Sequence, residues 1–156
     1  MAANTKTLKR FSFIVIFFIS LMVLERQFSI WWGKYTVMNS DLKGYSLDEA
    51  TKLAKESNKK NVLLNFSAYW CSACRRFESL TLSDPAVQKK LADNFFYVRL
   101  EETEPLDKPE FKRFGISAYP TLLVLLSDHA TPIKIDAYAD ARTFLRELER
   151  VSQKTL

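Results

Sequence analysis

The 156-residue chain has only two cysteines, one histidine and three glycines. A structural zinc site takes four ligands, so Cys71, Cys74 and the distant His129 do not complete one. No further soft ligand accompanies the cysteines, which argues against a copper carrier. No nicotinamide- or flavin-binding motif is present. Internal repeats and low-complexity tracts are missing too. The net charge is +5, but Lys6, Lys9 and Arg10 supply three of those charges, leaving +2 on residues 25–156. With no basic stripe and no RNA-binding signature, nucleic acid is excluded as a partner. About 110 residues after the N-terminal segment suit one domain with one core.

What the chain does have is concentrated in Trp70-Cys71-Ser72-Ala73-Cys74, which places both cysteines at C-x-x-C spacing. Asn61-Val62-Leu63-Leu64-Asn65-Phe66 upstream reads as a buried strand. Arg75-Arg76-Phe77-Glu78-Ser79-Leu80 downstream reads as helix. A helix N-terminus offers free N–H groups and partial positive charge, which favour a thiolate. Cys71 is thus the expected exposed nucleophile, and Cys74 the resolving thiol one turn in. C-x-x-C beside a β-α pattern points to disulfide redox chemistry. A purely structural disulfide is the rival, disfavoured because so short a loop constrains little chain entropy.

A second segment supports the redox reading. Phe114-Gly115-Ile116-Ser117-Ala118-Tyr119-Pro120-Thr121 leads into the apolar run Leu122-Leu123-Val124-Leu125-Leu126. Proline directly before such a strand gives no ladder hydrogen bond, and a cis Tyr119-Pro120 bond accounts for it. Together these stretches resemble the thioredoxin fold. Residues 60–151 are most similar to the C-terminal periplasmic domain of the DsbD thiol:disulfide interchange family and its single-domain membrane-anchored relatives. The likeness rests on Ala68-Tyr69-Trp70-Cys71-Ser72-Ala73-Cys74-Arg75-Arg76-Phe77-Glu78, Ser83-Asp84-Pro85-Ala86-Val87-Gln88, Tyr119-Pro120-Thr121-Leu122 and Asp140-Ala141-Arg142-Thr143-Phe144. It implies an α/β thioredoxin fold, a central mixed sheet flanked by helices. It also implies Cys71 and Cys74 as the catalytic pair, with Trp70, Tyr119, Pro120 and Thr121 forming the substrate-binding surface. The redox-active pair then serves in place of any cofactor, and no metal is expected.

The chain departs from the family pattern in places. Thioredoxins carry a buried Asp six residues before the first cysteine, and here Asn65, which cannot titrate, stands there. Glu78 occupies the place of an acidic residue near the DsbD-type active site, so it is either the sole proton-handling carboxylate or an ordinary solvated helix residue. Ser72-Ala73 between the cysteines matches neither the Pro-His of strong oxidants nor the Gly-Pro of thioredoxin. Ala137 lies near a usual glycine of the late strand. Arg75 and Arg76 either favour the thiolate or are plain surface charges; Trp70 either docks clients or packs.

The N-terminus speaks to location. A basic flank, residues 1–10, precedes Phe11–Leu24, fourteen residues without a charge. That is signal-peptide length, short of the ~20 residues of a spanning helix. No small-x-small cleavage site follows, however, and Trp31, Trp32 and Tyr35 suit an interfacial aromatic belt with Arg26 snorkelling. Residues 11–32 therefore read as an uncleaved signal anchor forming one N-terminal transmembrane helix, with a cleaved signal peptide as the alternative. Residues 33–44 read as a linker and 45–156 as the thioredoxin-like domain. Orientation by charge keeps the basic flank cytoplasmic and exports the cysteines. The expected location is the inner membrane, single-pass, with the domain facing the periplasm.

The remaining elements follow from local signals. Residues 25–44 look juxtamembrane, with Gly33 and Gly44 as breakers. Ser46-Leu47-Asp48-Glu49 opens a helix to about Ser57. Strand 61–67, a helix from Cys71 to Leu80, a helix capped by Ser83 or Asp84 with Pro85 first, and strand 95–100 come next. Glu101-Glu102-Thr103-Glu104 reads as a solvated acidic loop, or alternatively as a partner-binding face. A short helix from Pro109 to Phe114 stops at Gly115. Strands 121–127 and 132–138 flank a turn holding His129, read as a surface residue, and an amphipathic helix covers 140–152. The expected function is a membrane-anchored thiol:disulfide oxidoreductase reducing exported proteins, fed by a membrane or periplasmic electron donor. The alternatives are an oxidase or isomerase of exported proteins, or a binding and assembly module with dispensable cysteines.

Overall fold

The run Asn61–Ser67 forms strand β1, buried along its whole length, as a strand covered on both faces requires. The computed structural model describes residues 5–38, 44–57, 61–126, 131–137 and 140–153. Strands β2 (Phe95–Glu101), β3 (Thr121–Leu125) and β4 (Ile133–Ile135) complete a four-stranded sheet of order β2-β1-β3-β4. β2 is parallel to β1, pairing Asn65 with Arg99 and Ser67 with Glu101. β3 is antiparallel to β1, with Phe66 opposite Thr121, and β4 is antiparallel to β3. The helices are α1 (Thr5–Met38), α2 (Leu47–Ser57), α3 (Ser72–Phe77), α4 (Pro85–Asn94), α5 (Lys108–Arg113) and α6 (Ala141–Ser152). From α2 onward the order is the αβααβαββα that the sequence predicts.

Side-chain alternation along the strands divides the core. Leu63, Phe95, Tyr97, Leu122 and Val124 pack with Phe77, Leu82, Val87, Leu91, Phe144 and Leu148 from the α3, α4 and α6 side. Val62, Leu64, Phe66, Phe96, Val98 and Leu123 pack with Ala50, Ala54 and Phe111 from the α2 and α5 side. Of the two candidate caps for α4, it is Asp84 that accepts from Ala86 and Val87 N–H, with Pro85 at the first helical position. Gly115, at φ 63°, ends α5 in a Schellman motif, its N–H bonded to Lys112 O and that of Ile116 to Phe111 O. Phe144, Leu148 and Val151 form the buried stripe of α6.

Four elements differ from the sequence reading. The helix after Cys71 is α-helical only to Phe77 and continues as a π-helical turn, Glu78–Leu82. β3 and β4 are shorter than the stretches 121–127 and 132–138; residues 127–130 and 138–139, His129 among them, lie outside the described residues. α1 continues through Gly33 to Met38, into the stretch read as a linker. One glycine costs a helix only about 1 kcal/mol, and Gly33 is buried against the domain. Within α1, Arg10–Tyr35 is 26 residues long, with none of its most apolar window buried. At 1.5 Å per residue its length and composition suffice to cross a bilayer core of ~30 Å.

Candidate active site

The site lies where β1 hands over to α3, beside the C-terminal ends of β1 and β2. Cys71 is the N-cap of α3 in extended conformation, and its Sγ accepts the Cys74 N–H at 3.1 Å. Such an N–H at a helix start favours negative charge on the sulfur it faces. The two cysteines form a disulfide with Cα atoms 5.3 Å apart. Both cysteines are buried, so the exposed Cys71 expected from the sequence is not seen in this disulfide state; at 7% exposure against 1% it is still the more open of the two.

The Tyr119–Pro120 peptide is cis, and Tyr119 packs on the cluster of Ala68, Cys71 and Cys74. Trp70 meets Tyr119 edge-to-face at 5.8 Å, and Tyr119 meets Phe111 at 5.7 Å. Trp70 is more than a third exposed at 39%, and its Nε1 donates to Glu102 Oε2. Burial, then Glu102 and Glu101, raise the Tyr119 pKa, so its hydroxyl stays neutral. Thr121 Oγ1 donates to Ala118 O at 2.8 Å, closing the turn around Pro120. Beside Tyr119 an open cavity of about 550 Å³ is lined by Glu102, Lys108, Phe111, Lys112, Gly115 and Ile116. Arg75 Nη1 donates to Tyr69 O at 2.7 Å; Arg76 is exposed.

Beneath α3 lies a buried polar network. Glu78 Oε1 accepts from Asn65 Nδ2 at 3.2 Å, Ser67 Oγ at 2.9 Å and Arg99 Nε at 2.9 Å. Its Oε2 is buried without a partner, as is Asn65 Oδ1. Glu78 is four residues after Cys74, and its N–H reaches the Cys74 carbonyl, so the two share one helical face. Arg99 also donates to Glu101 Oε2 at 2.9 Å and Ser67 Oγ at 3.0 Å. Burial opposes the Arg99 charge, but Glu78 and Glu101 outweigh it and raise its pKa. Burial, reinforced by Glu78, raises that of Tyr97, whose hydroxyl accepts from Asn65.

The structure overturns the reading of Glu101 as part of a solvated loop. Glu101 closes β2 at 2% exposure, and its Oε1 accepts from Tyr69 N, Thr103 N and Thr103 Oγ1. Glu78 is likewise no ordinary solvated residue, its side chain being 11% exposed. Arg99 and Glu101 escaped the sequence reading. Their signal was two charges at period two in an otherwise apolar strand, where a buried charge requires a partner. Among the described residues, no group of three or more His, Cys, Asp or Glu side chains is placed to hold a metal.

Comparison with known proteins places this geometry. A thioredoxin-like family model matches residues 42–127. The thiol:disulfide interchange protein DsbD of Photorhabdus laumondii is 26% identical over 149 residues, covering 88% of this chain and 25% of that protein. This chain thus spans about a quarter of that relative. The reduced C-terminal domain of Neisseria meningitidis DsbD superposes with a TM-score of 0.53 at 25% identity, covering 65% of this chain and 89% of that one. A Thermus thermophilus thioredoxin superposes at 0.63 with 24% identity, covering 73% and 89%.

Proposed function

The chain belongs to the thioredoxin-like family, and from that premise we propose that it is a membrane-anchored oxidoreductase that reduces disulfides of exported proteins through Cys71 and Cys74. The observation that carries this reading is the pair itself: a Cys71 sulfur receiving a helix-start N–H, in the less deeply buried of the two cysteines. The Cys71 thiolate attacks a client disulfide, forming a mixed disulfide and expelling one client thiolate. Cys74 gives up its proton and attacks Cys71 Sγ, which releases the second client thiolate. Two electrons pass to the client, and the protein is left in the disulfide state seen here. A dithiol donor must then restore it. Glu78 supplies the proton acceptor for Cys74, supported by its place one turn on and its partnerless Oε2. Trp70, Tyr119, Pro120 and Thr121 shape the client surface, with the cavity beside Tyr119 continuing it.

The direction of transfer and the periplasmic orientation belong to this reading and are supported by the DsbD relatives and by the charge flanking α1. In insulin reduction with a chemical reductant, Cys71→Ser should abolish turnover and Cys74→Ser should trap mixed disulfides. Faster alkylation of Cys74 than of Cys71, or alkylation at lower pH, would reverse the two roles. A reduction potential well above those of reducing thioredoxins would assign the chain to oxidation instead.

A further inference from the structure

α1 does more than precede the domain. Ser29 and Ile30 are half-buried and Gly33 is fully buried, while Phe28, Trp31, Trp32 and Tyr35 around them are exposed. Gly33 lies against the backbone of Tyr69: a Cβ added there would run into the Tyr69 carbonyl oxygen and sit 2.8 Å from its carbon. Arg75 Nη1 bridges the same carbonyl to Ser29 Oγ, at 2.7 and 3.4 Å. Lys34 adds a looser ion pair with Glu104 at 3.9 Å. Tyr69 immediately precedes Trp70-Cys71, so α1 touches the shoulder of the redox site. The exposed aromatics stack along the same two turns, Trp31 on Tyr35 and Phe28 on Trp32, as at a bilayer interface. Even fully extended, the chain from Met38 to Gly44 reaches no more than about 20 Å.

We propose that Ser29, Gly33 and Lys34 dock on the Tyr69–Arg75–Glu104 shoulder, holding the Trp70–Cys71 edge at the membrane surface so that it acts on disulfides held at that surface. This rests on the anchor reading. A docked domain meets a membrane-held disulfide in a fixed orientation and at high local concentration, whereas a freely diffusing disulfide gains nothing from the dock.

The test uses the full chain in phospholipid vesicles, reduced beforehand and followed through one turnover. One probe is a disulfide-looped peptide joined by a short linker to a phospholipid headgroup; the other is the same peptide free in solution. Each turnover converts the dithiol of Cys71 and Cys74 to a disulfide and the probe disulfide to two thiols. Gly33→Ala and Gly33→Leu should slow reduction of the lipid-linked probe by about tenfold or more and leave the free probe unchanged, which also reports an intact domain. Equal rates for wild type and variants on the lipid-linked probe, or equal losses on both probes, would overturn the dock. Release of wild type from the vesicles by alkaline carbonate would overturn the anchor reading instead, and the dock with it.

Discussion

One face of the sheet is oil at one end and ions at the other. Toward the N-terminal ends of β1 and β2, Leu63, Phe95 and Tyr97 meet Leu91, Phe144 and Leu148. Two and four residues further along each strand the same face carries Asn65 and Ser67, Arg99 and Glu101, with Asn65, Ser67 and Arg99 donating to Glu78 and Arg99 also to Glu101. The apolar end gains from burial at about 25 cal/mol per Å². The charged end gains little net stability, since desolvation consumes most of what ion pairing returns. What the charged end supplies is a fixed carboxylate one turn from Cys74, and it lies where the sheet meets the site. Apolar packing and buried charge are thus separated along a single face.

The separation is tested first where the effect is largest. Phe144 is fully buried and meets Phe77 edge-to-face at 5.2 Å. Phe144→Ala should cost about 3–5 kcal/mol in urea unfolding while leaving the pH profile of Cys71 alkylation in place. A moved profile would show the two ends coupled through Phe77, the residue before Glu78. Arg99→Leu should cost about as much, because Glu78 and Glu101 then lie buried without their cation. Arg99→Lys should recover part of that deficit, since it keeps a cation beside both carboxylates; a lysine variant no more stable than Arg99→Leu would mean lost packing rather than lost pairing.

These two ends were unequally legible in the sequence. The apolar end declared itself through the run 61–66 and the stripe of α6, because periodicity is a local signal. So did the cysteine pair, the Tyr119–Pro120 turn and the start of α4 at Ser83 or Asp84, each carried by a few contiguous residues. The network did not, since Arg99 meets Glu78 across 21 residues and depends on strand register, which no local pattern states. Glu101 shows only through its period-two spacing from Arg99 in an apolar strand; the four residues Glu101-Glu102-Thr103-Glu104 by themselves do not mark the first carboxylate as the one that turns inward. Gly33 was read as a breaker because its reason for being glycine, the Tyr69 carbonyl, lies far along the chain.

Glu78→Gln sharpens the comparison within the charged end. Glutamine keeps an acceptor for Asn65 and Ser67 but takes no proton from Cys74. The resolving step, followed by stopped-flow release of client from the Cys71 mixed disulfide, should slow by about 10², with the attack step unchanged. The deficit should narrow as pH rises and hydroxide takes over the deprotonation. A variant that resolves at the wild-type rate from pH 6 to 8 would leave Glu78 a structural partner of Arg99 and no more.

The smallest expected effect comes from a charge that stays in solvent. Asp140 caps α6, its Oδ2 accepting the Thr143 N–H at 2.8 Å. The bonds from Thr143 hold its carboxyl below the usual 3.8. A depressed folded value means that the unfolded chain takes up the proton first as pH falls. The cap therefore contributes its full share above the usual carboxylate pKa and loses it as pH drops from about 3.8 through the folded value. Asp140→Asn keeps an oxygen for Thr143 but does not titrate. It should change stability little at neutral pH and flatten the acid limb of the stability curve, and added salt should shrink the difference because the carboxylate is exposed. Were Asp140→Asn to destabilise at neutral pH as much as Arg99→Leu, exposed and buried charges would weigh alike in this fold, and the contrast between the two ends would fail.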